Sequence, residues 1–281
     1  MIVQKDVKRQ GFLADMHTHS RNSHDSECPI AEMAAAEAAK GISAFAVTDH
    51  CDILKYPQRN APCIIKSSIA EMKAQNLDNI KLLKGVELGD GIWNEELSNY
   101  ILGLTDYDVI IGSVHVVKYK ECNQSCSRID FSEMPMEDIY GYLEMYFRDV
   151  LKTLQQFPCD IMAHLTFPLR TIRGKYGIDV DMSCFEKQID EILAYIIEHK
   201  IAMEVNTSSL KRYHWTMPDE QIIKRYREMG GCLITLGSDA HMAEHAASGF
   251  EEAVAMLKRI GFSEIYYYEK HQAIPCAIKF Y

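Results

Sequence analysis

The sequence has 281 residues, of which 47% are hydrophobic and 25% are charged, and its formal net charge is -10. This balance is typical of a globular protein with a substantial core, and the length suits a single α/β barrel. Surfaces that bind nucleic acid are normally basic, so the acidic balance argues against a nucleic-acid partner.

The amino-terminal residues, the apolar segments and the cysteines are informative about cellular location. The first twenty residues contain no apolar stretch like that of a signal peptide. No segment approaches the roughly 18 apolar residues of a membrane span. Nine cysteines are present without the regular spacing of a secreted disulfide framework. We therefore expect reduced thiols, mostly in the core, in a cytoplasmic protein with no membrane partner.

Short apolar runs alternate with longer helix-like stretches along the chain. The runs have the length and the β-branched content of strands that are buried on both faces. They are Phe12–Met16, Ile42–Val47, Ile80–Val86, Val109–Ile111, Cys159–Ala163, Ile201–Val205 and Cys232–Leu236. The helix-like stretches between them cover residues 31–40, 65–76, 136–157, 184–200 and 219–230.

The third helix-like stretch shows the clearest periodicity. Its apolar residues recur at steps of three and four, which predicts one buried helix face. They are Ile139, Tyr142, Leu143, Tyr146, Phe147, Val150, Leu151 and Leu154.

Alternating strands and helices predict a parallel sheet. Seven such units without a clear eighth predict a distorted seven-stranded (β/α)7, TIM-like barrel, formed as a single domain by residues 1–281. The irregular, polar residues 117–135 are predicted to form a long loop over the active-site face. The run Tyr266–Tyr268 is predicted to be a late apolar segment that closes the barrel.

Histidine or acidic residues follow six of the predicted strands. In an α/β barrel the carboxyl ends of all strands open onto one face, so we expect these side chains to converge in one pocket. In chain order they are His17, His19, His24, Asp25, His50, Glu87, His115, His164, Asp239 and His241.

These residue types favour a metal cluster. Imidazole and carboxylate groups together bind zinc, manganese or iron. The rings of His17 and His19 point to the same side of an extended strand, because side chains alternate with a period of two. Taken singly, Glu87 could be an ion-pair partner, and Asp239 could cap a helix. Taken together, the groups are hard to explain by core packing, because such side chains are rarely buried without partners.

The order of the motifs resembles the PHP (polymerase and histidinol phosphatase) superfamily of metallophosphoesterases. The resemblance runs from Asp15 to about His241 and rests on short motifs. These are His-x-His at 17–19, Thr-Asp-His at 48–50, Gly-Val-Glu at 85–87, Gly-Ser-Val-His at 112–115, a lone histidine at 164 and Gly-Ser-Asp-Ala-His at 237–241. Within the superfamily, residues 112–115, 163–170 and 204–212 are most similar to the histidinol-phosphate phosphatases.

The resemblance implies a distorted seven-stranded barrel that hydrolyses L-histidinol phosphate to L-histidinol and phosphate. A hydroxide that bridges two metal ions would attack phosphorus. The resemblance also implies three divalent ions, zinc, manganese or iron, held by three ligand sets that share Glu87. The sets are His17, His19, Glu87 and Asp239; Glu87, His115 and His164; and Asp25, His50 and His241. Asp25 is assigned in preference to His24 because the family ligand lies six residues after the second histidine of His-x-His.

The same resemblance suggests substrate contacts. Arg170 matches a family arginine, with Arg173 as the alternative. Where the family more often has Asn-Thr-Ser-Gly-Leu-Arg, this chain has Asn-Thr-Ser-Ser-Leu-Lys, so either Lys211 or Arg212 would bind the phosphate.

Several assignments stay open. The proton for the leaving oxygen could come from Asp239, from His24 or from water. Asp15 and Asp49 are candidates for orienting imidazoles. Glu204 could contact the substrate or form a hydrogen bond within the barrel. The alternatives in function are a phosphoesterase for another small phosphate or a nucleotide, and a metal-binding module without catalysis.

Overall fold

The computed structural model describes residues 11–54 and 61–278. Residues 1–10, 55–60 and 279–281, which belong to the predicted single domain, lie outside the described residues. Within the described part of the chain, no helix combines the length and the apolar character needed to cross a bilayer. All nine cysteines are free thiols, and the buried ones include Cys51 and Cys159.

The centre of the fold is one parallel sheet. Its strands are β1 (Ala14–Thr18), β2 (Ala44–Val47), β3 (His50–Asp52), β4 (Lys81–Gly89), β5 (Val109–Ser113), β6 (Ile161–Met162), β7 (Ala202–Asn206) and β8 (Ile234–Gly237). Seven of them follow one another in the order β1-β2-β4-β5-β6-β7-β8, as predicted. The short β3 pairs with the carboxyl-terminal end of β4. Nearly every strand residue is buried, because helices cover the outside of the sheet.

The ring closes between the last strand and the first. Beyond the end of β8, the backbone N–H of Asp239 donates to the carbonyl of His17 at 2.8 Å. The N–H of His19 then donates to the carbonyl of Ala240 at 2.9 Å. These bonds join the carboxyl ends of β1 and β8, so the distorted TIM-like barrel predicted from the sequence is confirmed.

Helices connect the strands on the outside. They are α1 (Ile30–Ala39), α2 (Ala61–Ala74), α3 (Glu95–Leu102), α4 (Met136–Gln156), α5 (Phe167–Leu169), α6 (Glu186–His199), α7 (Leu210–Tyr213), α8 (Glu220–Glu228) and α9 (Phe250–Ile260). A π-helical turn, Arg170–Lys175, continues α5. In α4 the predicted apolar face is buried except for Leu151, which is partly buried. Burying each large apolar side chain stabilises the fold by about 1.5–3 kcal/mol.

The amino-terminal end of the barrel is covered by a hairpin of β9 (Glu264–Glu269) and β10 (Gln272–Ala277). The ring of Tyr267 packs on Phe12 with centroids 4.7 Å apart, and the N–H of His271 donates to the carbonyl of Asp108. The tyrosine run thus covers the end of the barrel opposite the strand carboxyl ends. It does not complete the ring, because hydrogen bonds between β1 and β8 do so.

Candidate metal centre

Glu87 lies at the centre of the site, fully buried at the carboxyl end of β4. Its Oε1 atom is 3.1 Å from Nε2 of His115 and 3.1 Å from Nε2 of His164. Its Oε2 atom is 2.7 Å from Nδ1 of His50 and 3.4 Å from Nε2 of His17. The short strand β3 is the reason for the His50 contact, because its register sets His50 directly beside Glu87. One carboxylate therefore contacts imidazoles from four different strand ends.

A first group of potential ligands surrounds the end of β1. Oδ1 of Asp239 lies 3.2 Å from Nε2 of His19 and 3.8 Å from Nε2 of His17. Nε2 of His19 is also 3.6 Å from Oε2 of Glu87. The backbone of Asp239 is left-handed, with φ at 53°, a conformation that aspartate tolerates better than most residues. Ligand atoms of His17, His19 and Asp239 are close enough to share one cation.

A second group lies nearer the solvent. Nε2 of His241 is 3.3 Å from Oδ1 of Asp25, and Nε2 of His50 is 3.6 Å from Oδ2 of the same carboxylate. The two imidazole nitrogens are 3.4 Å apart. His24 is not excluded from this group, because its Nε2 lies 3.4 Å from Oδ2 of Asp25. Asp25 and His24 thus both lie in this second group. The assignment of Asp25 in preference to His24 as the metal ligand stays a prediction.

Several buried atoms in the site form no hydrogen bond of acceptable geometry among the described residues, although other potential ligand atoms lie close to them. They include Nε2 of His17, Nε2 of His19 and Oε2 of Glu87. A buried polar atom without a partner costs about 1–3 kcal/mol, so such atoms call for an explanation. Nitrogen and carboxylate oxygen atoms that converge at these distances suit a divalent cation. The residues present therefore fit a metal centre.

The electrostatics of Glu87 agree with that fit. Burial alone would raise the pKa of Glu87, but the imidazoles of His115, His50 and His17 outweigh burial and hold its pKa well below the usual range. For His115, burial opposes the charged form, and the carboxylates of Glu87 and Asp52 still raise its pKa to about 9. Glu87 is thus ionised, as a carboxylate metal ligand must be.

Two further carboxylates orient the imidazoles. Oε1 of Glu204 lies 2.7 Å from Nδ1 of His17, and Oδ1 of Asp52 lies 2.8 Å from Nδ1 of His115. In both rings this leaves Nε2 directed at the centre of the site. Of the two roles open for Glu204 in the sequence, the structure shows the hydrogen bond within the barrel.

Two glycines make room for these contacts. A Cβ atom on Gly237 would lie 2.0 Å from Oε1 of Glu204, and a Cβ atom on Gly89 would lie 2.4 Å from Oδ1 of Asp52. Any larger residue would push the orienting carboxylate away from its histidine.

Asp15 and Asp49, predicted to orient imidazoles, form no direct hydrogen bond to a ring of any described histidine. Asp15 accepts hydrogen bonds from the backbone N–H groups of His17 and Ser238, so it orders the main chain and not a ring. Asp49 reaches an imidazole only through Ser23, whose hydroxyl donates to Asp49 and lies 3.1 Å from Nδ1 of His19. Sequence reasoning took both residues as ring partners because each precedes a histidine. The carboxylate of Asp15 is instead occupied by two backbone N–H groups, and that of Asp49 accepts hydrogen bonds from serine hydroxyls.

The role of Asp52 gives a testable prediction. The Asp52→Asn variant keeps the shape of the side chain but loses the charge that polarises His115, so we expect metal affinity or kcat to fall about 10- to 100-fold. Metal content and turnover measured on the same sample test this. Asp190→Asn is the control, because Asp190 forms an exposed ion pair with Arg225. A variant at Asp52 with wild-type metal content and turnover would contradict the orienting role.

A cavity of about 120 Å³ opens above the cluster. Its walls include His24, Asp239 and Arg170. The Nη1 atom of Arg170 is 3.8 Å from Oδ2 of Asp239 and 3.4 Å from the hydroxyl of Ser208. The guanidinium also lies over the ring of Phe167, 4.5 Å from its centroid. Arg170 therefore lies where a phosphate bound at the cluster could be contacted.

The other predicted phosphate contacts do not line this cavity. Lys211 and Arg212 are exposed on α7 and are not among the residues that line this cavity. Arg173 pairs with Asp179 at 3.6 Å in a separate surface groove. The cavity wall contains instead Arg128, which sequence reasoning missed because it lies in the irregular segment 117–135.

A family model described as the PHP domain matches residues 15–208, more than half of the chain. The chain belongs to the PHP domain family. The predicted family is thereby confirmed, and the cluster lies at the strand ends of a PHP barrel.

Relatives within the PHP family are similar over most of their length. A probable histidinol-phosphatase from Thermotoga maritima is 26% identical over 89% of this chain and 93% of the relative. A probable histidinol-phosphatase from Clostridium acetobutylicum is 26% identical over 91% of this chain and 97% of the relative. The crystal structure of histidinol phosphate phosphatase from Lactococcus lactis, complexed with zinc, L-histidinol and phosphate, matches with a TM-score of 0.76 and 22% identity, over 93% of this chain and 98% of that one. At this identity, the structural likeness shows the fold.

Proposed function

We propose that this chain is a metal-dependent phosphomonoesterase that hydrolyses L-histidinol phosphate to L-histidinol and phosphate. The observation that carries the proposal is the buried carboxylate of Glu87, which lies within 3.4 Å of imidazoles from four strand ends. Ionisable side chains are rarely buried for packing alone. A buried carboxylate among four imidazoles is therefore better explained as a ligand shared between metal ions. The curated relatives named as histidinol-phosphatases support the choice of substrate.

The residues proposed to hold the ions are the three ligand sets that the family resemblance implies, and the count of three ions stays a prediction. The sets are His17, His19, Glu87 and Asp239; Glu87, His115 and His164; and Asp25, His50 and His241. Zinc, manganese and iron all suit a set of imidazole and carboxylate ligands. The zinc in the related crystal structure supports zinc as one candidate.

Bound divalent ions would neutralise charge on the phosphoryl group and acidify water, which are the chief requirements of phosphate ester hydrolysis. The chain itself supplies the geometry around that chemistry. Glu204 and Asp52 fix the rings of His17 and His115. Arg170 extends into the cavity and would bind phosphate oxygens through its planar fork of donors.

Of the two side chains that are candidates for protonating the leaving oxygen, we favour His24 over Asp239. Asp239 already lies against His19 on one side and Arg170 on the other, so its oxygens are committed to the cluster. His24 lies in the cavity wall, and its side chain is 13% exposed. A group in that position can exchange protons with solvent between turnovers.

The cytoplasmic location expected from the sequence stays a prediction.

The direct test is phosphate release from L-histidinol phosphate by protein loaded with Mn²⁺, Zn²⁺ or Fe²⁺. Glycerol phosphate, phosphoserine and adenosine monophosphate serve as competing substrates, and metal content is measured on the same samples. We expect kcat/KM to be roughly 100-fold higher for L-histidinol phosphate than for the other esters. Equal rates on all esters would overturn the substrate assignment. No release by fully loaded protein would favour a metal-binding module without catalysis.

A further inference from the structure

The segment that carries Arg128 is fixed to the metal cluster by main-chain hydrogen bonds. The chain leaves the site after His115 and returns, and the N–H of Cys126 donates to the carbonyl of His115 at 3.1 Å. A β-bridge pairs Val116 with Ser125, and the N–H of Arg128 donates to the carbonyl of Ser125 at 2.8 Å. The turn Cys126–Arg128 is therefore held beside a proposed ligand, although its sequence shows no regular pattern.

Arg128 forms no ion pair among the described residues, whereas the neighbouring Arg170 lies 3.8 Å from a carboxylate oxygen of Asp239. Arg173 likewise pairs with Asp179. Arg128 and Arg170 line the same cavity above the cluster. Two guanidinium groups beside a small cavity match a doubly charged phosphate, because each can form paired hydrogen bonds to oxygens.

We propose that Arg128 is a second phosphate-binding residue, which acts with Arg170 on the phosphoryl group. The hydroxyls of Ser125 and Ser127 line the cavity beside it and are 3.0 Å apart, so they offer further donors. This assignment rests on the proposed function, because it requires that phosphate binds at the cluster. Lys211 and Arg212 are exposed on α7 and do not line this cavity, so Arg128 is the better placed partner for Arg170.

Binding of inorganic phosphate tests the proposal without relying on any ester. Metal-loaded, full-length protein is titrated with phosphate in a calorimeter, and its metal content is recorded. We expect Arg128→Gln to weaken phosphate binding about 10- to 100-fold, because a charge-assisted hydrogen-bond donor is lost. Arg128→Lys should lose less, since it keeps the charge without the fork. Arg148→Gln, on the exposed side of α4, is the matched control and should bind phosphate as the wild type does.

The ester panel then separates phosphate contact from leaving-group contact. If Arg128 binds the phosphoryl group, Arg128→Gln lowers kcat/KM by a similar factor for every ester that the wild type hydrolyses. An effect confined to one ester, or unchanged phosphate affinity at normal metal content, would overturn the proposal. If the wild type binds phosphate but hydrolyses no ester, the proposed function fails while the calorimetry still decides the role of Arg128. A wild type that binds no phosphate would refute both.

Discussion

Replacement of Glu87 by glutamine is expected to lower kcat about a thousandfold or more. The carboxylate contacts imidazoles of at least two of the three proposed ligand groups, so the change reaches more than one ion. A catalytic ion stabilises the transition state by several kcal/mol, and about 4 kcal/mol corresponds to about a thousandfold in rate. Turnover of L-histidinol phosphate, together with metal content per chain, measures both consequences. Metal content should fall below that of the wild type.

The control for this variant is Glu228→Gln, which makes the same chemical change on the exposed side of α8. It should retain wild-type turnover and metal content. Melting curves of both variants separate a lost ligand from a lost fold. Near-normal turnover of Glu87→Gln at full metal content would contradict the shared-ligand role of Glu87 and, with it, the mechanism.

The arrangement of the cluster could be predicted from the sequence because the barrel imposes it. Each of the strongest motifs directly follows a short apolar run, and parallel strands bring all their carboxyl ends to one face. The positions of Glu87, His115 and His164 around one point follow from that rule alone. The contact of His50 with Glu87 could not be predicted from that rule alone. It depends on β3, a strand of three residues that no periodicity in the sequence reveals.

The residues around the cluster were harder to predict for a different reason. Asp52 and Glu204 contact imidazoles 63 and 187 positions away in the chain, and such contacts depend on side-chain directions across the barrel. A signal for both existed in Gly89 and Gly237, which end strands where a side chain would collide with the carboxylate. Arg128 carried no such signal, because its position is set by main-chain hydrogen bonds in an irregular loop.

Removal of bound metal is expected to abolish phosphatase activity and to lower the melting temperature. Ions that bind only the folded state stabilise it by about 2.7 kcal/mol at a concentration a hundred times Kd, which corresponds to a shift of at least about 5 °C. Without ions, buried atoms such as Oε2 of Glu87 and Nε2 of His19 lie 3.6 Å apart and form no well-directed hydrogen bond among the described residues. Treatment with a strong chelator, followed by activity and melting measurements, tests both effects.

Readdition of different ions distinguishes a specific centre from a general effect of charge. Mn²⁺, Zn²⁺ or Fe²⁺ should restore activity and melting temperature, because these ions accept imidazole nitrogen. Ca²⁺ carries the same charge but prefers oxygen ligands, so it should restore little of either at equal concentration. Turnover that survives in fully metal-depleted protein would refute the mechanism, since the cavity wall would then have to supply all the charge stabilisation. Two guanidinium groups, Arg128 and Arg170, are too few for that task, because they provide no acidified water to attack phosphorus.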